Sequence, residues 1–370
     1  MSKLWILLVV SLIAAWFIDQ RDQDLLSRKG KQEHIITTLL AIILIFFCGL
    51  RVWGNDTVTY LQMYDQAPLF NDLLSNKSEI SFSGGLGFHY AMSILKTLGF
   101  SSQNFLMFFS VITIIPYIVF IHKYSEKMTW GIFMMFVTGV YTFSMAAIKQ
   151  SLATAFCLMA VDAAIEKKWW KYTLWMILAI LSHPYAAIYL IVPFLFFKPL
   201  TKKTYILCVC MIVLGLCMGP LMNTILDVTS LMGANYTEES FSGAGVNIFR
   251  VLVCFAPIIL GFLYGKELFI ISKREDNVIF NITMMNALIM FVGLFGTANY
   301  FARLANYFLI GQVIILPWIL ERVNKKDKKW LKIACVVGYC LYFIFENAIK
   351  KSFDLEYAQI TIWEYISSFF

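Results

Sequence analysis

Long apolar runs, each closed by charged or turn-forming residues, recur along the whole chain. Twelve are read, at 4–18, 34–50, 103–121, 129–147, 150–165, 169–182, 185–197, 204–222, 250–265, 278–296, 300–320 and 331–347. About 20 apolar residues in a helix cross the hydrocarbon core of a bilayer, and a backbone in lipid must satisfy its own hydrogen bonds. The expected fold is therefore all-α, a polytopic transmembrane helical bundle forming a single membrane domain over 1–370. Composition agrees, since a chain that is 60% hydrophobic and 14% charged is not an ordinary soluble globular protein. A membrane β-barrel would need segments of strict alternation, which are absent. Segments 150–165, 169–182 and 185–197 are short for full crossings and are expected to be tilted, kinked or re-entrant. Lys3 followed by Leu4–Ile18 looks like a signal peptide, but no small-x-small cleavage site follows, so it reads as a retained first helix.

The formal net charge of +7 does not require a nucleic-acid partner. Basic residues gather in alternate loops, around Lys29, Lys123, Lys168, Lys202, Arg274 and Lys326. Lys and Arg mark cytoplasmic loops, which puts both termini and the loops 51–102 and 223–247 outside the cytoplasm. Within the first of these, Phe88–Leu98 is amphipathic and too short to span, so it is expected to be interfacial or re-entrant. The tail, 353–370, carries Trp363 and Tyr365 and is expected on the membrane surface.

Several chemistries are disfavoured. The eight cysteines all lie in apolar runs, where Cys behaves as a small hydrophobe. Cys208-x-Cys210 has no second pair or His nearby, so neither zinc nor a disulfide is expected. Asp22-Gln23-Asp24 matches a short metal–nucleotide pattern but lacks a strand–helix nucleotide fold around it. No phosphate-binding glycine loop or HExxH sequence is present. No metal or cofactor is called.

With the topogenic cations set aside, Arg51, Lys149, Arg250 and Arg303 remain at the outer ends of their segments, and His183 lies at an outer junction. Each alone is also readable as a residue snorkelling to lipid headgroups. Together, on a face that normally lacks positive charge, they read as a basic pocket, and arginine forks suit phosphate or pyrophosphate oxygens. Arg51 opens the densest cluster, Arg51-Val-Trp-Gly-Asn-Asp-Thr-Val-Thr-Tyr60. Its Asp56 is a candidate general base for a sugar hydroxyl, or else an ion-pair partner of Arg51 or a loop cap. Thr57 and Tyr60 fit loop capping or sugar binding. His183-Pro184 breaks a helix and frees a carbonyl, which membranes tolerate beside a cavity. Trp53, Tyr60, Tyr64, Phe82, Phe88 and Tyr90 suit sugar stacking or an interfacial aromatic belt.

The pattern Arg51-x-x-Gly54-x-Asp56-Thr57-x-x-Tyr60 resembles the EpsG family of bacterial exopolysaccharide polymerases, similar in role to Wzy proteins. Four later pieces agree in order. They are Gly85-Leu86-Gly87-Phe88 with Leu95, Lys149-Gln150-x-Leu152-Ala153, Leu178-Ala179 with His183, and Arg303-x-x-x-Tyr307. Lys149 departs from the family's Arg, keeping the charge and losing the bidentate fork. The resemblance implies a metal-independent glycosyltransferase in the bacterial cytoplasmic membrane, GT-C-like in fold, with its site on the extracytoplasmic face. It implies transfer of a growing glycan from polyprenyl pyrophosphate to a hydroxyl of the next lipid-linked repeat unit. Asp56 is then the first choice for the base and His183 the second, while Arg51, Tyr60, Lys149, Gln150, Arg250, Arg303 and Tyr307 bind pyrophosphate or sugar. Its partners are lipid-linked oligosaccharides and membrane lipid, with a chain-length regulator or flippase of the same pathway. The competing readings are a flippase or exporter of lipid-linked oligosaccharide, another outer-face glycan ligase, and an O-acyltransferase.

Overall fold

The computed structural model describes residues 2–22, 29–75, 84–231, 245–296, 298–350 and 357–367. Gln23-Asp24, Phe82, most of the 223–247 loop and both ends of the 353–370 tail therefore lie outside the described residues. Among those described, the structure is helical, and its β-type pairing is an isolated antiparallel bridge between Arg51 and Gln359.

Four helices are long and apolar enough to cross a membrane: Lys3–Gln20, Ser102–Tyr124, Ile148–Ile165 and Lys325–Ile349. Three further spans appear if bent pairs are joined. Met128–Val137 with Val140–Ala146 bends by 52°, Ile248–Leu263 with Gly265–Ile271 by 82°, and Tyr300–Asn306 with Ile310–Arg322 by 58°. This is a multi-pass membrane protein with four to seven such spans among its described residues, where hydropathy predicts twelve apolar segments.

The difference has local causes. The expected 129–147 segment breaks at Gly139, whose φ of +83° ends one helix and starts the next. The expected 204–222 segment is two helices, Lys202–Leu216 and Met218–Leu231. The short 185–197 segment folds as a 3₁₀ helix, Pro184–Leu195. At about 2.0 Å rise per residue this winding reaches further than an α-helix of equal length.

Broken helices leave carbonyls unsatisfied, and buried amides answer them. Asn281, fully buried on the Arg274–Val292 helix, donates Nδ2 to Leu195 O at 2.7 Å and Phe197 O at 2.8 Å, beside the end of the 3₁₀ helix. Asn286 donates to Ala305 O at 2.7 Å, just before the Tyr300–Asn306 break. Ile148–Ile165 buries Ala153, Ala155, Ala160, Ala163 and Ala164. Such small residues permit close helix approach where lipid supplies no hydrophobic drive, and this helix packs on both Ser102–Tyr124 and Trp169–Ser182. Large apolar side chains such as Ile6, Phe194 and Leu263 stay exposed on the bundle exterior.

Candidate active site

The chain leaves the Lys29–Gly49 helix and turns through Gly54 (φ +112°) and Asn55 (φ +50°) into the helix Thr57–Gln66. Left-handed backbone at both positions favours Gly and Asn. Arg51 braces this turn from within. It is 1% exposed, its Nε donates to Thr57 Oγ1 at 3.0 Å, and its Nη1 donates to the carbonyl of Cys48. Thr57 in turn donates to Gly54 O at 2.6 Å. The Arg51 side chain thus caps a helix end and ties down the loop; it does not reach the cavity described next.

Asp56 occupies the N-cap position of Thr57–Gln66, yet its side chain makes no capping hydrogen bond. It is exposed, and no described residue forms a hydrogen bond or an ion pair with its carboxylate. Both structural readings open at the sequence level, an Arg51 ion pair and a loop cap, are therefore absent among the described residues. Asp56 instead lines a cavity of about 530 Å³. Asn55, Thr59, Tyr60 and Met63 complete that wall. Lys149 and Gln150 enter from the start of Ile148–Ile165, His183 from the helix break, Arg250 from Ile248–Leu263, and Arg303 and Asn306 from Ala298–Asn306. Asp56 is the one carboxylate among these lining residues. Seven of the nine residues singled out in sequence meet here, and Arg51 and Tyr307 lie behind the walls.

The walls differ in how firmly they are held. Lys149 Nζ donates to Gly84 O at 3.0 Å, lies 3.4 Å from His89 Nε2 and sits 5.2 Å from the Phe88 ring centroid. It is thereby tethered to the start of the Leu86–Thr97 helix, the expected short extracytoplasmic piece. That helix abuts the end of Trp169–Ser182 because a Cβ on Gly85 would fall 2.2 Å from Ser182 O. Burial and the Lys149 charge lower the His89 pKa to about 4.

Gln150 is 3% exposed and donates to the backbone O of Arg303 at 2.5 Å. It fixes the helix on which Arg303 stands, while the Arg303 side chain remains exposed in the cavity. His183 sits in extended backbone between two helices, with Nδ1 2.7 Å from the Tyr307 hydroxyl. Tyr307 is fully buried, and its own carbonyl accepts from Tyr189 at 2.7 Å. Burial, then the Lys149 and Arg303 charges, pull the His183 pKa down to about 4, so the ring is neutral at pH 7. Burial pushes the Tyr60 hydroxyl up to about 12, leaving it a protonated donor.

Two contributors were missed in sequence. Glu346, 6% exposed in the π-helical turn Phe345–Ile349, accepts from Arg250 Nε at 2.9 Å and also from its Nη2. A carboxylate inside the apolar segment 331–347 was the available signal. Asn306, at the helix break, lines the cavity and had no such signal. Among the described residues, no group of three or more His, Cys, Asp or Glu side chains forms a metal-ligand set.

The motifs that carried the resemblance, dispersed over some 250 residues of sequence, border or brace one cavity. A family model for the EpsG family matches residues 34–367. The chain belongs to the EpsG family. Membership points to an exopolysaccharide-polymerase-like, glycosyltransferase-type role and, in general terms, to lipid-linked oligosaccharide as substrate. No curated protein and no solved structure matches this EpsG-family chain.

Proposed function

We propose that this EpsG-family protein is a polysaccharide polymerase of the bacterial cytoplasmic membrane. It transfers a growing glycan from polyprenyl pyrophosphate to a hydroxyl of a lipid-linked repeat unit, at the outer leaflet. In this reading the fold is GT-C-like, and the short and broken helices complete about twelve membrane-embedded segments.

One observation carries the proposal: the Asp56 carboxylate, with no ion-pair partner among the described residues, shares a cavity with Lys149, Arg250 and Arg303. The reaction breaks the bond between the anomeric carbon and the pyrophosphate oxygen and forms one to the acceptor oxygen. The bonding electron pair leaves with the pyrophosphate, so negative charge grows there and fixed cations stabilise it. The acceptor hydroxyl loses a proton, which Asp56 takes. His183, neutral and held at Nδ1 by Tyr307, orients a sugar hydroxyl. Arg303, exposed in the cavity and fixed through its backbone by Gln150, binds the pyrophosphate.

The test is the ladder of glycan lengths extracted from host cells carrying Asp56→Asn or Arg303→Ala at normal membrane levels. The expected result is loss of polymer with single lipid-linked repeat units retained at the outer leaflet. Full-length polymer from both variants would sink this reading, and loss of outer-leaflet repeat units would favour an exporter instead.

A further inference from the structure

Residues 357–361, in the tail expected on the membrane surface, cross the loop that carries Asp56. The N–H groups of Val52 and Trp53 both donate to Ala358 O, at 2.8 and 3.3 Å, and Ile360 N–H donates to Leu50 O at 3.0 Å. Gln359 Nε2 adds a bond to Phe47 O at 2.7 Å. Tyr357 is 5% exposed and anchors the crossing. Its hydroxyl accepts from Asn55 Nδ2 at 3.2 Å, its carbonyl accepts from Lys3 Nζ at 3.1 Å, and its ring packs edge-on against Phe47. The ring also fills the space beside Gly54, where a Cβ would fall 2.6 Å from Cδ1.

The turn thus held is a costly one. Fixing a backbone residue in one conformation costs entropy, and Gly54 and Asn55 both occupy left-handed backbone. Asp56 adds no side-chain capping bond; the turn's own bonds run from Thr57 to Gly54 O, and contacts from outside hold the rest of it. Arg51 supplies them on one side and Tyr357 on the other.

We propose that Tyr357 is a positioning residue for the glycosyl transfer: it sets the Gly54-Asn55 turn, and through it the place of the Asp56 carboxylate opposite Arg303 and Lys149. The proposal rests on the reading of Asp56 as the base. A displacement of about 1 Å in a reacting group is enough to cost on the order of a hundredfold in rate, so loosening this turn has a large expected effect without removing any group that touches substrate.

The experiment compares Tyr357→Ala and Tyr357→Phe with the unmodified protein in host cells, using the cell's own lipid-linked repeat units. Membrane level is followed by immunoblot, and amide exchange is followed on the purified full chain in nanodiscs. Tyr357→Ala is expected to cut polymer at least tenfold at unchanged membrane level. The same variant speeds exchange at residues 50–56 and leaves the Ser102–Tyr124 helix unchanged. Tyr357→Phe, which keeps the ring, restores polymer to within about threefold. Full polymer from Tyr357→Ala, or unchanged exchange at residues 50–56, overturns the proposal. So does a fall in polymer that merely tracks a fall in protein level. Failure of the base assignment shows separately, as polymer from Asp56→Asn.

Discussion

The two polar ends of the bundle are built on opposite principles. At one end, cations meet carboxylates. Lys123 pairs with Asp162 and Glu166 at 2.6 Å, Lys168 with Glu166 at 2.6 Å, Arg322 with Glu126 at 2.5 Å, and Lys328 and Lys332 with Glu321 at 2.8 and 2.6 Å. Asp19 accepts there from the backbone N–H groups of Met128 and Thr129, capping a helix. At the other end, Lys149 is held by a carbonyl, Arg303 presents its side chain to the cavity, and Asp56 stands apart from both. Arg250 alone of these cations pairs with a described carboxylate. Charge that is neutralised where it stands organises a fold. Charge gathered around a cavity without neutralisation is a standing cost, and it persists where a ligand supplies the missing partner.

The largest effects should come from the unneutralised end. Asp56→Asn keeps the size of the side chain and removes the base, and is expected to lower polymerisation by about 10²–10⁴-fold. The glycan ladder at matched membrane level measures it. Arg303→Ala is expected to cost on the order of 10²–10³. Arg303→Lys should recover only part of this, because a lysine lacks the bidentate fork. Equal activity of Arg303→Lys and the unmodified protein would show that charge alone matters there.

Arg250 and Glu346 test the border between the two principles. Breaking a largely buried ion pair from one side leaves a charge uncompensated and costs on the order of 3 kcal/mol. Arg250→Ala and Glu346→Ala are each expected to lower the unfolding temperature of the purified protein. The double variant Arg250→Met/Glu346→Met should recover most of that loss without recovering polymer. Recovery of both would place Arg250 among the structural cations.

How far this division was visible in sequence depended on the range of the signal. Hydropathy announced a helical membrane protein because burial in lipid acts on every residue of a span. It did not place the breaks within the apolar segments, because the turn at Gly139 and the 3₁₀ winding of Pro184–Leu195 are backbone choices that apolar content does not encode. Sorting cations by face found Lys149, Arg250 and Arg303, since an unexpected charge is costly wherever it stands. It could not separate Arg51 from them. The Arg51 guanidinium turns inward to Cys48 O and Thr57 Oγ1, contacts that depend on the local path of the chain and not on residue type. Gln150 and Tyr307 were readable only through their place in motifs; Gln150 lines the cavity and bonds the Arg303 backbone, and Tyr307 lies one layer back against the His183 ring.

Acidification probes the same end by another route. His183 and His89 both have folded pKa values of about 4, lowered from 6.5 by burial. Between pH 6.5 and 4 the unfolded chain therefore takes up protons that the folded chain refuses. Stability is present above pH 6.5 and is lost as pH falls toward 4. Replacing either residue with Gln should flatten the fall of unfolding temperature across that window, and an unchanged slope would show that neither ring is buried neutral.

The smallest effect is expected at the neutralised end, where the comparison is most exposed to failure. Lys123→Ala removes two short ion pairs, but its side chain is 41% exposed. Solvent-exposed pairs contribute only about 0–1 kcal/mol, because Coulomb attraction is screened and two long side chains lose freedom. Asp162 keeps its bond from the Tyr124 hydroxyl, and Glu166 keeps Lys168. Unfolding temperature should fall slightly and recover little at high salt, and the glycan ladder should match that of the unmodified protein. A shortened ladder from Lys123→Ala would mean that the paired end also governs the reaction.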